Sequence, residues 1–234
     1  MVLPTLLLTR PRKSAHAFAV TLDPLVCARV HIVIAPLIEI VATAAPVSMQ
    51  GVRGVIFTSA NGVIFGPPPA QGLTAFCVGE QTAATARAQG WQAQQAGKTA
   101  QDLIATLVAD APTGPLLHLG GVHTRGEIAP TLTRAGIPTG HVAVYDQILM
   151  RLDAAALGAL GECCIVPVFS PRSAEELVRQ AAGRLQKAHI IALSDSVAAP
   201  FEGEAMASMT ILPVPQGRYM RKELENLCRD LSLP

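Results

Sequence analysis

Aromatic side chains are scarce, with six Phe, two Tyr and one Trp in 234 residues, so any core must be aliphatic. No charge of one sign dominates: Lys and Arg number 18 and Asp and Glu 17, for a formal net charge of +1. A duplex-binding protein carries a basic excess or stripe, so this balance speaks against nucleic acid as a partner. Long apolar runs are missing too. The most apolar window, Val30 to Val47, is interrupted by His31, Pro36, Glu39 and Pro46 and falls short of the ~20 residues of a membrane span. At the start, MVLPTLLLTRPRK places its apolar stretch before its basic residues, the reverse of a secretory signal. The five cysteines (Cys27, Cys77, Cys163, Cys164 and Cys228) form no C-x-x-C pair. They read as buried, reduced thiols of a cytoplasmic protein.

The usual signatures of cofactor and hydrolytic sites are also missing. Gly97-Lys98-Thr99 resembles the end of a phosphate loop, but the first glycine of that motif would fall on Gln92. No G-x-G-x-x-G follows a strand. Histidines 16, 31, 118, 123, 141 and 189 include no H-E-x-x-H and no Cys/His cluster. A G-x-S-x-G elbow is lacking, and each cysteine lies in an apolar or helical context that packing explains.

What is present is a chain half hydrophobic and only 15% charged, which excludes a disordered protein. Short apolar runs alternate with helical spacing. Strands are expected at Leu3–Thr9, His31–Ala35, Gly54–Thr58, Thr74–Val78, Pro115–Leu119, Cys163–Phe169, Ala188–Leu193 and Met209–Pro213. Helices are expected at Ser14–Leu22, Gly79–Gln89, Thr99–Ala109, Thr124–Ala135, Ser173–Lys187, Ser196–Ala207 and Gly217–Leu231. Ser173 with Glu176 reads as a capping box, and Gly90 and Gly136 sit where helices stop. The alternation predicts an α/β fold with parallel sheets covered on both faces.

Two extended runs, PLIEIV at 36–41 and HVAVYDQIL at 141–149, break this rhythm. They are expected to form a two-stranded ladder between two domains. One domain is discontinuous, 1–36 with 148–234, the other spans 42–140, and the linker strands are 36–41 and 141–148. A faint internal repeat supports the division. Phe57-Thr-Ser-Ala-Asn61 resembles Val168-Phe-Ser-Pro-Arg172, and Phe76 to Ala84 resembles Ile191 to Ala199. The copies are more than a hundred residues apart, far beyond solenoid periods of roughly 20–50 residues. Duplicated domains are implied.

Small hydroxyl and glycine turns follow the strands: Thr9-Arg10-Pro11, Thr58-Ser59-Ala60-Asn61-Gly62, Gly79-Glu80-Gln81-Thr82 and Ser170-Pro171-Arg172-Ser173. Each could be ordinary capping. Together, at the carboxyl ends of parallel strands, they suit a multiply anionic ligand. The ordered set LLLTRPR (6–12), PLIEI (36–40), VIFTSANGV (55–63), CVGEQTAATARAQGW (77–91), TAQDLIATL (99–107), RGEIAPTLTRAGI (125–137) and VAVYDQ (142–147) resembles the uroporphyrinogen-III synthase family. The resemblance covers nearly the whole chain.

It implies two α/β domains, one built from both termini, and a cofactor-free, monomeric enzyme of tetrapyrrole synthesis. Its substrate would be hydroxymethylbilane, with a transient handoff from hydroxymethylbilane synthase. The reaction implied loses the hydroxymethyl oxygen as water, giving an azafulvene. A spiro intermediate then inverts the D ring and the macrocycle closes. The matching motifs place substrate-binding residues at Arg10, Thr58, Ser59, Asn61, Gly79, Thr82, Ser170 and Ser196, and a proton-donating role at Tyr145 on the returning linker strand. A phenol is an O–H donor at neutral pH. The C-terminal half departs from the family pattern: Phe169-Ser170-Pro171 stands where Thr-Ser-Pro is frequent, Ser194-Asp195-Ser196-Val197 where Gly-Pro-Thr-Thr is frequent, and no arginine precedes Gly120-Gly121. The competing readings are a non-catalytic hinge-type binding protein for an anionic small molecule, which would share these features, and a Cys or Ser hydrolase.

Overall fold

The computed structural model describes residues 3–123 and 127–231. The chain divides into two compact units, Met1–Glu39 with Leu149–Pro234, and Ile40–Ile148. The first is built on a parallel sheet and the second on a mainly parallel one, as the alternation of apolar runs and helices predicts.

The first unit contains β1 (Thr5–Leu8), α1 (Arg12–Ala19), α2 (Pro24–Cys27) and β2 (His31–Ile34) from the amino-terminal segment. From the other segment come α7 (Ala154–Leu160), β9 (Cys164–Val168), α8 (Pro171–Ala181), β10 (Ala188–Ala192), α9 (Asp195–Ala198), β11 (Ser208–Ile211) and α10 (Gly217–Leu231). Its strand order is β11-β10-β9-β1-β2, and every pair is parallel. Leu7, Val166 and Val168 point to one face, against Ala156, Leu160 and Leu177 of α7 and α8. Leu6, Leu8 and Ile165 point to the other, against Phe18, Met220 and Leu224. Burying each such side chain contributes about 1.5–3 kcal/mol. Strands hidden on both faces therefore read as continuous apolar runs.

The second unit contains β4 (Gly54–Phe57), α3 (Ala60–Phe65), β5 (Thr74–Val78), α4 (Glu80–Ala88), β6 (Gln92–Gly97), α5 (Ala100–Asp110), β7 (Leu116–Gly121), α6 (Ile128–Arg134) and most of β8 (Thr139–Leu149). Its sheet runs β3-β8-β7-β4-β5-β6, with β3 (Ile38–Ala42) at the edge. The two expected linker strands are neighbours, β3 beside β8, and are continuous with this six-stranded sheet. Thr139 to Tyr145 of β8 pair with β7. The two sheets share a plan: β4 and β5 occupy in one the places that β9 and β10 occupy in the other, the segments that carry the internal repeat.

Several boundaries differ from expectation for identifiable reasons. Ser170, not Ser173, caps α8; its Oγ accepts the Ser173 N–H at 3.2 Å. Pro171 at the first helical position, where a missing N–H costs nothing, moves the start forward. Glu176 turns instead to Arg179 and Gln180. Gln180 in turn holds Met150 O and Leu152 N–H, each at 2.7 Å. The helix expected over Ser196–Ala207 stops after α9 and a 3-10 turn at Ala199–Phe201, because Pro200 cannot continue it. Residues 124–126 of the helix expected at Thr124–Ala135 lie outside the described residues; α6 itself begins at Ile128. β6, α2, α3 and α7 fall outside the elements expected from the sequence. Among the cysteines, Cys77, Cys164 and Cys228 are buried, but Cys163 is exposed and Cys27 half-buried, so the expectation of five buried thiols is corrected. Among the described residues no helix is long and apolar enough to cross a membrane.

Candidate active site

In an open parallel sheet, ligands bind beyond the carboxyl ends of the strands, where the strand order reverses. Each unit has one such point, between β1 and β9 in the first and between β4 and β7 in the second. At both, the ladder ends early: the β1–β9 pairing stops at Leu6↔Ile165 and the β4–β7 pairing at Ile56↔His118. Pro167 explains the first. The Val168 carbonyl accepts from Leu193 on the β10 side, so residue 167 faces β1, and proline has no N–H to offer there.

Arg10 follows β1 at the first gap. Its guanidinium carbon stacks 4.0 Å from the Phe169 ring centroid and 5.9 Å from that of Phe18. The two rings meet edge-on at 5.4 Å. Neither an ion pair nor a hydrogen bond reaches this guanidinium among the described residues. Partial burial holds its pKa below the ordinary arginine value. Beside it, the Ser170 and Ser173 hydroxyls lie 2.8 Å apart. Ser196 follows β10, exposed, with its Oγ 3.0 Å from that of Ser194.

The second gap gathers more of the expected residues. Thr58 follows β4, and its Oγ1 lies 3.2 Å from His118 Nε2 on β7. The Ser59 Oγ caps α3 by accepting the Asn61 N–H at 3.2 Å, leaving its own O–H to donate. Gly62 brings α3 tight against β7, because a Cβ there would sit 2.4 Å from the Leu119 carbonyl oxygen. On the neighbouring strand β5, Gly79 adopts φ +73° and opens α4 without a side-chain cap; Thr82 is buried in the first turn. Tyr145 stands on β8 opposite Gly121, the last residue of β7. Its ring is 6% exposed and packs 6.3 Å from Phe65. Its hydroxyl takes no hydrogen-bond partner among the described residues and is not a buried orphan, the one such side-chain atom among them being Trp91 Nε1. The ring is covered while the O–H is left open to solvent or a ligand.

The Gly97-Lys98-Thr99 turn does not form a phosphate loop. Asp102 Oδ2 occupies its amides, accepting from Thr99 N–H at 2.9 Å and Lys98 N–H at 3.1 Å. Surface hollows around Thr74, Arg87 and Trp91, and around Arg53, Pro112 and Thr113, sit at the amino-terminal ends of the strands, away from the reversal points.

Residues 28–216 match the family model described as Uroporphyrinogen-III synthase HemD. The chain belongs to the uroporphyrinogen-III synthase family, and its enzymatic activity lies in tetrapyrrole biosynthesis. No curated protein sequence matches it. Its fold is similar to a solved uroporphyrinogen-III synthetase from Helicobacter pylori, at a TM-score of 0.70 and 16% identity over 96% of this chain and 100% of that one. A mutant uroporphyrinogen III synthase from the extremely thermophilic bacterium Thermus thermophilus gives a TM-score of 0.54 and 14% identity over 97% and 98%. At these identities the likeness speaks for the fold. Within this synthase fold, three features escape sequence reasoning: the Thr58–His118 contact, the aromatic stack under Arg10, and the room that Gly121 leaves for Tyr145. All three depend on which strands are neighbours.

Proposed function

We propose that this synthase cyclises hydroxymethylbilane to uroporphyrinogen III, binding it through Arg10 and Ser170, through Thr58, Ser59, Asn61, Gly79 and Thr82, and through Ser196, with Tyr145 as the proton donor. The observation that carries this reading is the coincidence of unpaired recognition groups with the strand-order reversals. Arg10 is an aromatic-stacked cation without a partner among the described residues, and Tyr145 presents an unpartnered phenol. Every pyrrole of the substrate carries acetate and propionate groups, which suit Arg10 and the open amides and hydroxyls of the turns.

In the proposed chemistry the hydroxymethyl C–O bond breaks as the Tyr145 phenol delivers its proton, and water leaves. The pyrrole N–H then gives up its proton as the azafulvene forms, restoring the phenol. The substituted α-carbon of the D ring then attacks the electrophilic azafulvene methylene to give the spiro intermediate. Its bond to the original bridge carbon breaks, and the free α-carbon of the inverted ring attacks that bridge carbon and loses its proton as the macrocycle closes. Positioned proton donation contributes about 10²–10⁴-fold. Hydroxymethylbilane also loses water unaided, so orienting the D ring against direct closure carries much of the catalysis. The proposal includes independence from metals and organic cofactors, a monomeric state, a cytoplasmic location and receipt of substrate from hydroxymethylbilane synthase.

Freshly prepared hydroxymethylbilane is the test. The enzyme should yield the type III isomer, before and after exhaustive chelation and dialysis. Only the type I isomer of spontaneous closure would refute the activity and favour a binding protein. A loss on dialysis restored by one metal would refute cofactor independence.

A further inference from the structure

His118 is the residue that nothing so far explains. β7 reads Leu-Leu-His-Leu-Gly-Gly, and His118 is 3% exposed on the face that also carries Leu116 and Ile56. Leucine would satisfy strand propensity and packing there, whereas a buried imidazole must have its polar atoms matched at a cost. The chain makes a further concession two residues on. A Cβ at Gly120 would sit 3.0 Å from His141 Nε2 and 3.1 Å from His118 Nε2. Glycine thus keeps space clear for a pair of imidazoles whose centroids are 4.9 Å apart. The two histidines are register partners on β7 and β8.

We propose that His118 is a positioning residue of the cyclisation, fixing the Thr58 hydroxyl through its 3.2 Å contact so that the rest of that hydroxyl's hydrogen-bonding capacity faces the substrate. The place supports this. The β4–β7 ladder ends at Ile56↔His118, so just beyond the last backbone pairing the two strands are held by this side-chain contact. A hydroxyl left to rotate there would divide its population among three staggered wells; one bound to an imidazole nitrogen keeps a single orientation. Burial and the neighbouring His141 keep His118 neutral at physiological pH, its pKa pushed down to about 4. A neutral imidazole offers one donor and one acceptor nitrogen, so its tautomer sets whether Thr58 gives or accepts towards the ligand.

The inference rests on Thr58 being a substrate-binding residue, and the test separates the two ideas. Thr58→Val, His118→Leu and the double variant are compared with hydroxymethylbilane as substrate, recording kcat, KM, the type III fraction and thermal unfolding. Thr58→Val should lose about 2–10-fold in kcat/KM, the range of one hydrogen bond. His118→Leu should lose a similar factor while unfolding at or above the wild-type temperature. The double variant should lose no more than either single one. His118→Gln, which can still reach Thr58 with an amide, should recover part of the loss, and it remains informative if His118→Leu fails to fold. Wild-type activity in both His118 variants beside a slow Thr58→Val overturns the inference alone, as do multiplicative losses in the double variant. Wild-type activity in Thr58→Val overturns the assignment of Thr58 and the inference with it.

Discussion

Gly121 gives the most direct access to the role of Tyr145. A Cβ added there would lie 2.8 Å from two ring carbons of Tyr145 and 3.1 Å from its oxygen. Comfortable carbon contacts are about 3.5–4.0 Å, so Gly121→Ala forces roughly an ångström of displacement. The backbone has little freedom to yield, because the Val122 N–H donates to the Tyr145 carbonyl at 3.0 Å. The ring must therefore rotate away, against Phe65. Overpacking of this kind costs about 1–3 kcal/mol, and for a chain of this length each kcal/mol lowers the melting temperature by about 2–4 °C. If the phenol supplies the proton that departs with water, its displacement should lower kcat by about tenfold or more with little change in KM, as a loss within the general-acid range. Type III product formed from fresh hydroxymethylbilane gives the rate, and differential scanning fluorimetry the stability. Tyr145→Phe is the companion: it should lose a similar factor in kcat and keep its melting temperature. A destabilised Gly121→Ala enzyme with wild-type kcat would refute the catalytic part of the reasoning, and an undisturbed melting temperature would refute the packing part.

Arg10→Leu should raise KM about 10–100-fold, the scale of a charge-assisted hydrogen bond, whereas Phe169→Leu should raise it only about 2–10-fold by loosening the cation–π stack; steady-state kinetics checks both. Because the folded pKa of His118 lies near 4 and the usual histidine value is 6.5, the unfolded chain binds the proton first as pH falls. Stability is therefore unaffected by this group above pH 6.5 and declines between 6.5 and about 4, by at most about 3 kcal/mol. Urea denaturation at pH 7.5 and 5.0 should show that decline shrinking in His118→Leu. A thiol reagent under native conditions should label exposed Cys163 first; Cys77, Cys164 and Cys228 should resist, since burial raises their pKa to about 11, 12 and 11.

The legible parts of this fold are those where local chemistry and tertiary environment agree. Leu6-Leu7-Leu8 and Cys164 to Val168 announce buried parallel strands because both their faces are covered. Gln92–Gly97 is also a strand, but it forms a sheet edge with three exposed glutamines, so it lacks the apolar signal that identifies the others. The helix after β4 hides because Ser59-Ala-Asn-Gly62 reads as a turn; only the approach of Gly62 to the Leu119 carbonyl shows why a glycine belongs inside it. The turns of the candidate site are visible as hydroxyl and glycine clusters after strands. His118 is not, since a single histidine in an apolar strand acquires meaning only when β7 is known to lie beside β4, sixty residues away.

The discontinuous first unit has a consequence for how the chain is made. β1 and β2 leave the ribosome early with Leu6 to Leu8 and Ile32 to Ile34 ready to pair, yet the partner of β1 on its other side, Cys164–Val168, is more than a hundred residues downstream. At elongation rates of about 5–20 residues per second, that strand follows after about 6–26 s. The continuous segment Ile40–Ile148 is complete before then. The usual order of synthesis, amino-terminal domain first, is therefore inverted: the interior of the sequence can close while its beginning waits. During that wait the β9-side edge of β1 stays open and its apolar faces uncovered, exposed to any chaperone or neighbouring chain, so aggregation in the cell should be most sensitive to substitutions in β1 and β2.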